Sequence, residues 1–246
     1  QECIFWDAAA ADTALDLRRG IPEDAFLAVR QWHNPERDYQ RVYHEEVFHT
    51  IQETKILERL FSIVTAQMDE EGVQIANGII AEIKAAAAPI SCEALLDCKE
   101  SVYAQTMVTA PMPTSQHLAL FRLTPDVAAS TAEGITNLFK LAEKYSQGQL
   151  AVETSTVGDA EVTTLAVPAQ MPQKPTIATI GEVLILSSSP DMLANSLKML
   201  TSTEGKSKFD DPRLAKALKQ LPEADYSVTF FDGQSLFDSL RGIGPF

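Results

Sequence analysis

The chain has 246 residues, of which 45% are hydrophobic and 22% charged. That balance fits one large globular domain, or one domain and the opening of another. A formal net charge of −14 argues against nucleic acid or an anionic membrane surface as a partner, because both need a basic footprint. No apolar run approaches the roughly 18 residues of a transmembrane helix.

The first residue is Gln1, and QECIFWDAAAADTALDL has no basic n-region, as expected of a mature or excised sequence rather than of a signal peptide. Ile21-Pro22-Glu23-Asp24-Ala25 reads as a turn that leads into a first strand at Phe26–Arg30. Asn34-Pro35-Glu36 opens a helical block from Arg37 to about Ala88, with Asp69-Glu70-Glu71-Gly72 as its break. Pro89 ends the block, and Ser91 caps a short helix from Cys92 to Cys98.

Cys92 and Cys98 would lie about 9 Å apart along one helix, too far to bridge. A link between them requires a broken helix. Otherwise Cys3, Cys92 and Cys98 are unpaired or semi-buried thiols.

Ser101–Thr109 and Gln116–Leu123 form a strand pair around a Pro-rich loop, and Pro125 starts a helix through Tyr145. Leu150–Val157 and Glu161–Val167 make a hairpin around Gly158-Asp159. The strongest local signal is PTIATIGEVLILSSSPDMLANSLKML, Pro175–Leu200. It reads as two aliphatic strands joined by Gly181-Glu182 in a type II′ turn, then a helix capped by Ser189 with Pro190 at its first position. A polar loop, Thr201–Lys208, leads to a helix capped by Asp211-Pro212. A last strand at Tyr226–Phe231 and a helix capped by Asp232 follow.

Strands that come in hairpins, with helices between them, predict an α+β fold: a mainly antiparallel sheet of about six to eight strands with helices packed on it. Ile21-Pro22-Glu23-Asp24-Ala25-Phe26 is echoed by Leu221-Pro222-Glu223-Ala224-Asp225-Tyr226, 200 positions later. Either this is a common way into a strand, or it marks a repeated unit. The second reading divides the chain into an α+β unit at 1–220, with a helical insert at about 36–98, and the start of a truncated second unit at 221–246.

His44-Glu45-Glu46-Val47-Phe48-His49 is the segment nearest to a metal motif. His44 and His49 stand five apart rather than four, and so diverge by about 140° around a helix. An intact helix cannot bring both onto one ion, so no metal and no cofactor are expected. Glu204-Gly205-Lys206-Ser207 lacks the first glycine and the preceding strand of a P-loop.

Ser187-Ser188-Ser189 has no nucleophile elbow, and Ser189 is already explained as a cap. His117 sits in a strand with no partner legible in the sequence, so no catalytic residue is assigned. Trp32, His33, Tyr39 and Tyr43 are the aromatic candidates for a binding surface, although such stripes usually belong to a core.

The order strand, Ser-Ser-Ser-Pro-Asp, helix, then Ser207-Lys208-Phe209-Asp210-Asp211-Pro212-Arg213-Leu214, helix, Leu221-Pro222-Glu223 and strand resembles a family of uncharacterised exported proteins of planctomycete-type bacteria. Ile21–Ala25 and Asn34–Tyr39 are similar too. The resemblance implies export to the periplasm or cell envelope and a repeated α+β unit, and it brings no catalytic residues. The expected function is a non-enzymatic envelope protein that binds a protein or ligand partner. A hydrolase built from dispersed carboxylates and histidines is the competing class.

Overall fold

A computed structural model describes residues 15–32, 46–47, 49–50, 53, 55–66, 68–96, 98–108, 113–168, 171–202, 205–220 and 227–241. In chain order, a 3₁₀ turn at Leu17–Gly20 precedes strand β1 (Leu27–Trp32). Helices α1 (Ile56–Thr65), α2 (Glu70–Ala87) and α3 (Cys92–Leu96) come next. Strands β2 (Glu100–Val108) and β3 (Thr114–Arg122) lead to the long helix α4 (Pro125–Tyr145). Four strands follow, β4 (Ala151–Val157), β5 (Ala160–Ala166), β6 (Thr176–Ile180) and β7 (Val183–Ser187). The chain then runs through α5 (Pro190–Thr201), a 3₁₀ turn at Lys208–Asp210, α6 (Pro212–Leu218), β8 (Ser227–Phe231) and α7 (Gly233–Arg241).

All eight strands belong to one antiparallel sheet in the order β4-β5-β6-β7-β3-β2-β1-β8. The α+β expectation holds. Gly181 has φ +57 at the first position of the β6–β7 turn, where only a residue without a Cβ is unstrained. β1 and β8, the two strands that follow the echoed turns, are neighbours in this sheet.

Side chains alternate across the pleat, and each face carries its own core. On one face Ala28, Val102, Leu118, Leu120, Val183 and Ile185 pack against Leu193, Leu197 and Leu200 of α5 and against Leu17 and Ile21. α5 can lie flat there because its apolar positions recur at helical spacing. Its start is fixed by Ser189, whose Oγ accepts from the Met192 N–H. On the other face Ile177, Leu184, Leu186 and Phe121 meet Ala128, Ile135 and Phe139 of α4. α2 packs outside α4. After β7 the chain therefore crosses the α5 face to reach the opposite edge of the sheet, where β8 pairs with β1.

Three local expectations are corrected. The break in the helical block falls just before Asp69. Asp69 caps α2 by accepting the Gly72 N–H, so Glu70-Glu71-Gly72 is a first helical turn whose acidic residues suit the helix dipole. The helix at Cys92 ends at Leu96, before Cys98. Lys208, read as the end of a polar loop, is one of the most buried side chains, at 1% exposure.

Candidate functional site

Of the metal and binding-surface candidates, the structure describes Trp32 and His49, whereas His33, Tyr39, Tyr43 and His44 lie outside the described residues. His49 is exposed and 3.7 Å from Glu53, one helical turn away. Trp32 stacks under the guanidinium of Arg30, whose carbon is 5.2 Å from the ring centroid. No group of His, Cys, Asp or Glu able to hold a metal ion occurs among the described residues.

Trp32 thus belongs to a row of charges at one end of the sheet. Arg30 Nε donates to Glu100 Oε1 at 2.6 Å, and Arg122 Nε donates to Glu100 Oε2 at 3.3 Å. Arg122 also pairs with Glu182 of the β6–β7 turn and donates to the Leu15 carbonyl. Burial pulls the Arg30 guanidinium below its ordinary pKa, and Glu100 works against that pull. The row ties β1, β2, β3 and the β6–β7 turn together. Every carboxylate in it already has a cation, so its role is structural.

His117, on β3, has ring partners that no single stretch of sequence reveals. The β2–β3 register sets Gln105 opposite His117 and Tyr103 opposite Ala119, on the same face. Tyr103 Oη lies 2.7 Å and Gln105 Nε2 3.0 Å from His117 Nδ1, and Ser115 Oγ lies 3.1 Å from Nε2. Nδ1 thus faces the Tyr103 hydroxyl and the Gln105 amide, and Nε2 faces the Ser115 hydroxyl. Burial pushes the Tyr103 phenol above its usual pKa, partly offset by its hydrogen bond with Gln105. The backbone of His117 is held as well, its N–H by Ser188 Oγ at 2.9 Å and its carbonyl by Ser187 Oγ at 2.9 Å. The Ser187-Ser188-Ser189 run and His117 are therefore brought together through the main chain, with no serine of that run on the ring.

A second buried centre surrounds Lys208. Its Nζ donates to Asp232 Oδ2 at 2.8 Å, to the Glu23 carbonyl at 3.2 Å and to Ser235 Oγ at 3.4 Å, and it lies 5.6 Å from the Phe230 ring centroid. Arg213 Nη2 reaches the same Asp232 oxygen at 2.7 Å, and Asp232 Oδ1 accepts the Ser235 N–H to cap α7. Burial opposes the charge on Asp232. The hydrogen bonds from Lys208 and Ser235 outweigh it and hold the carboxyl well below the usual carboxylate range. This cluster fastens β8 and α7 to the turn that precedes β1.

What it fastens is an edge. β8 ends the sheet, and its sequence Ser-Val-Thr-Phe-Phe contains no charge and no proline. Natural edge strands usually carry one or the other to prevent pairing with another chain. β4, at the far edge, carries Glu153. Phe231 is 59% exposed and meets Phe26 edge-on at 6.3 Å, and Phe237 of α7 is 64% exposed. The chain matches no protein-family model, no curated protein and no solved structure.

Proposed function

We propose that the protein is a non-catalytic binding module, exported to the periplasm or cell envelope as its sequence resemblance implies, that takes a protein partner at the β8–α7 end of its sheet. The observation that carries this reading is the β8 edge, which among the described residues is paired on one side only: an uncharged aromatic strand, with Phe231 exposed on it and Phe237 exposed on the helix that follows. A photo-crosslinking residue in place of Phe237 is expected to give a discrete adduct in cells that make the protein. The same residue in place of Thr154, on β4, is expected to give none. Equal adducts from both positions, or none from either, would remove the reading.

One observation favours an enzyme: Ser115 Oγ and His117 Nε2 are in hydrogen-bonding contact at 3.1 Å, the nucleophile–base distance of a serine hydrolase. The groups on the far side of the ring are the Tyr103 hydroxyl and the Gln105 amide. Neither carries the negative charge that steadies an imidazolium during acyl transfer. A fluorophosphonate probe is therefore expected to leave the protein unlabelled. Labelling abolished both by Ser115→Ala and by His117→Ala would make the hydrolase the correct reading.

A further inference from the structure

We propose that the outer edge of β8 accepts a strand of the β2 type from a second unit of this same fold, so that the β1–β8 pair is the seam between two related half-sheets. This rests on the binding reading above and names its partner.

The first support is the register. Counted from the echoed turns at Ile21-Pro22-Glu23 and Leu221-Pro222-Glu223, residues 27–31 correspond to residues 227–231. These two windows are the ones that pair, with Leu27 opposite Phe231, Val29 opposite Thr229 and Gln31 opposite Ser227. An antiparallel pair made from equivalent windows has a local two-fold axis through its middle, here between Val29 and Thr229.

The second support is the direction of the backbone groups. The Asp232 N–H donates to the Phe26 carbonyl at 2.7 Å. Alternation along an antiparallel ladder then points the backbone groups of Val228 and Phe230 at β1, and those of Ser227, Thr229 and Phe231 at the outer edge. In β1 the corresponding positions, Leu27, Val29 and Gln31, are the ones that face β2. The edge of β8 is thus in phase with the edge of β1 that β2 occupies. The third support is that nothing in the composition of β8 guards this edge.

The axis also fixes what the occupant must be. β2 pairs with β1 through Gln105 opposite Leu27, Tyr103 opposite Val29 and Ser101 opposite Gln31. Carried across the seam, an incoming strand sets its Gln105, Tyr103 and Ser101 counterparts against Ser227, Thr229 and Phe231. A complete second copy of this chain cannot supply that strand, because its β2 is already held between β1 and β3. The partner is a unit whose first-strand position is open and is filled by β8.

The probe is a synthetic peptide of residues 99–109, Lys-Glu-Ser-Val-Tyr-Ala-Gln-Thr-Met-Val-Thr. It is added to the intact chain, and amide hydrogen exchange is followed residue by residue. Protection is expected to rise with peptide concentration at Ser227, Thr229 and Phe231, while Val228 and Phe230 stay unchanged and a scrambled peptide has no effect. Thr229→Pro removes an N–H that faces outward, so the ladder to β1 survives. Binding is expected to weaken at least about tenfold in that variant, and likewise in Thr229→Lys, which charges the edge without restricting the backbone.

Equal binding of the scrambled peptide, unchanged β8 exchange, or binding that survives both variants overturns the proposal. So does β8 protection that depends on the chain's own concentration, which would mean that two β8 edges pair with each other. An adduct at position 237 together with failure of the peptide would leave the binding module standing and remove only this partner.

Discussion

Asp232→Ala is expected to cost about 3–5 kcal/mol of folding stability in urea denaturation. The loss exceeds the value of one hydrogen bond because the variant leaves the Lys208 ammonium, 1% exposed, without its counter-charge in a site that water does not reach. The double variant Lys208→Met/Asp232→Leu is expected to recover most of that loss, because replacing both charges by apolar side chains removes the uncompensated ion. The remaining deficit is the α7 cap, about 1 kcal/mol.

The effect has a defined pH dependence. Asp232 titrates lower in the folded protein than in the unfolded chain. Its contribution is therefore complete above the unfolded carboxylate pKa, near 4, and is lost as pH falls toward the folded value. The gap in stability between the native chain and Asp232→Ala is expected to narrow from pH 7 to pH 3. A constant gap across that range would show that the ion pair is not the source of the effect.

Leu193→Ala is expected to cost about 2–5 kcal/mol. Leu193 is fully buried on α5, within the core that joins this helix to the central strands and to the Leu17–Gly20 turn. Truncation removes apolar contacts that rigid neighbours on a sheet cannot close over. Ile63→Ala, on α1 at 66% exposure, is the matched control and is expected to stay within about 0.5 kcal/mol of the native value. If both variants melted alike, α5 would not be the lid of this core.

The segments that carry a complete local instruction were legible in the sequence. Gly181 at a position that needs positive φ, Ser189 before Pro190, and aliphatic residues at helical spacing fixed the β6–β7 hairpin and α5 without help from distant residues. Asp211 before Pro212 did the same for α6, where it accepts the Arg213 N–H at 2.8 Å. The acidic run ending in glycine at Asp69–Gly72 resembles a loop in sequence, whereas Asp69 uses its side chain to begin a helix and Glu70 and Glu71 occupy its favourable first turn.

The candidate site was less legible, for a physical reason. His117 was visible as a histidine in a strand, but its environment depends on register, and a one-residue slip would send Tyr103 and Gln105 to the other face. Lys208 reads as loop surface in the sequence because lysine is rarely buried. Its partner Asp232, a recognisable cap 24 residues later, doubles as a counter-ion only after the chain has crossed the sheet.

That crossing also shapes how the molecule assembles and comes apart. β2 and β3 are joined by a short connection and β6 and β7 by a two-residue turn, so their ladders close small loops. β8 must find β1 across almost the whole chain, and a contact so distant in sequence returns its stabilisation only after a large entropy loss. β8 and α7 are therefore expected to dock late and, in native-state amide exchange, to open before the central strands. Lys208 and Asp232 act as their latch. When the latch releases, β1 becomes the terminal strand and presents the same seam to whatever strand is nearest.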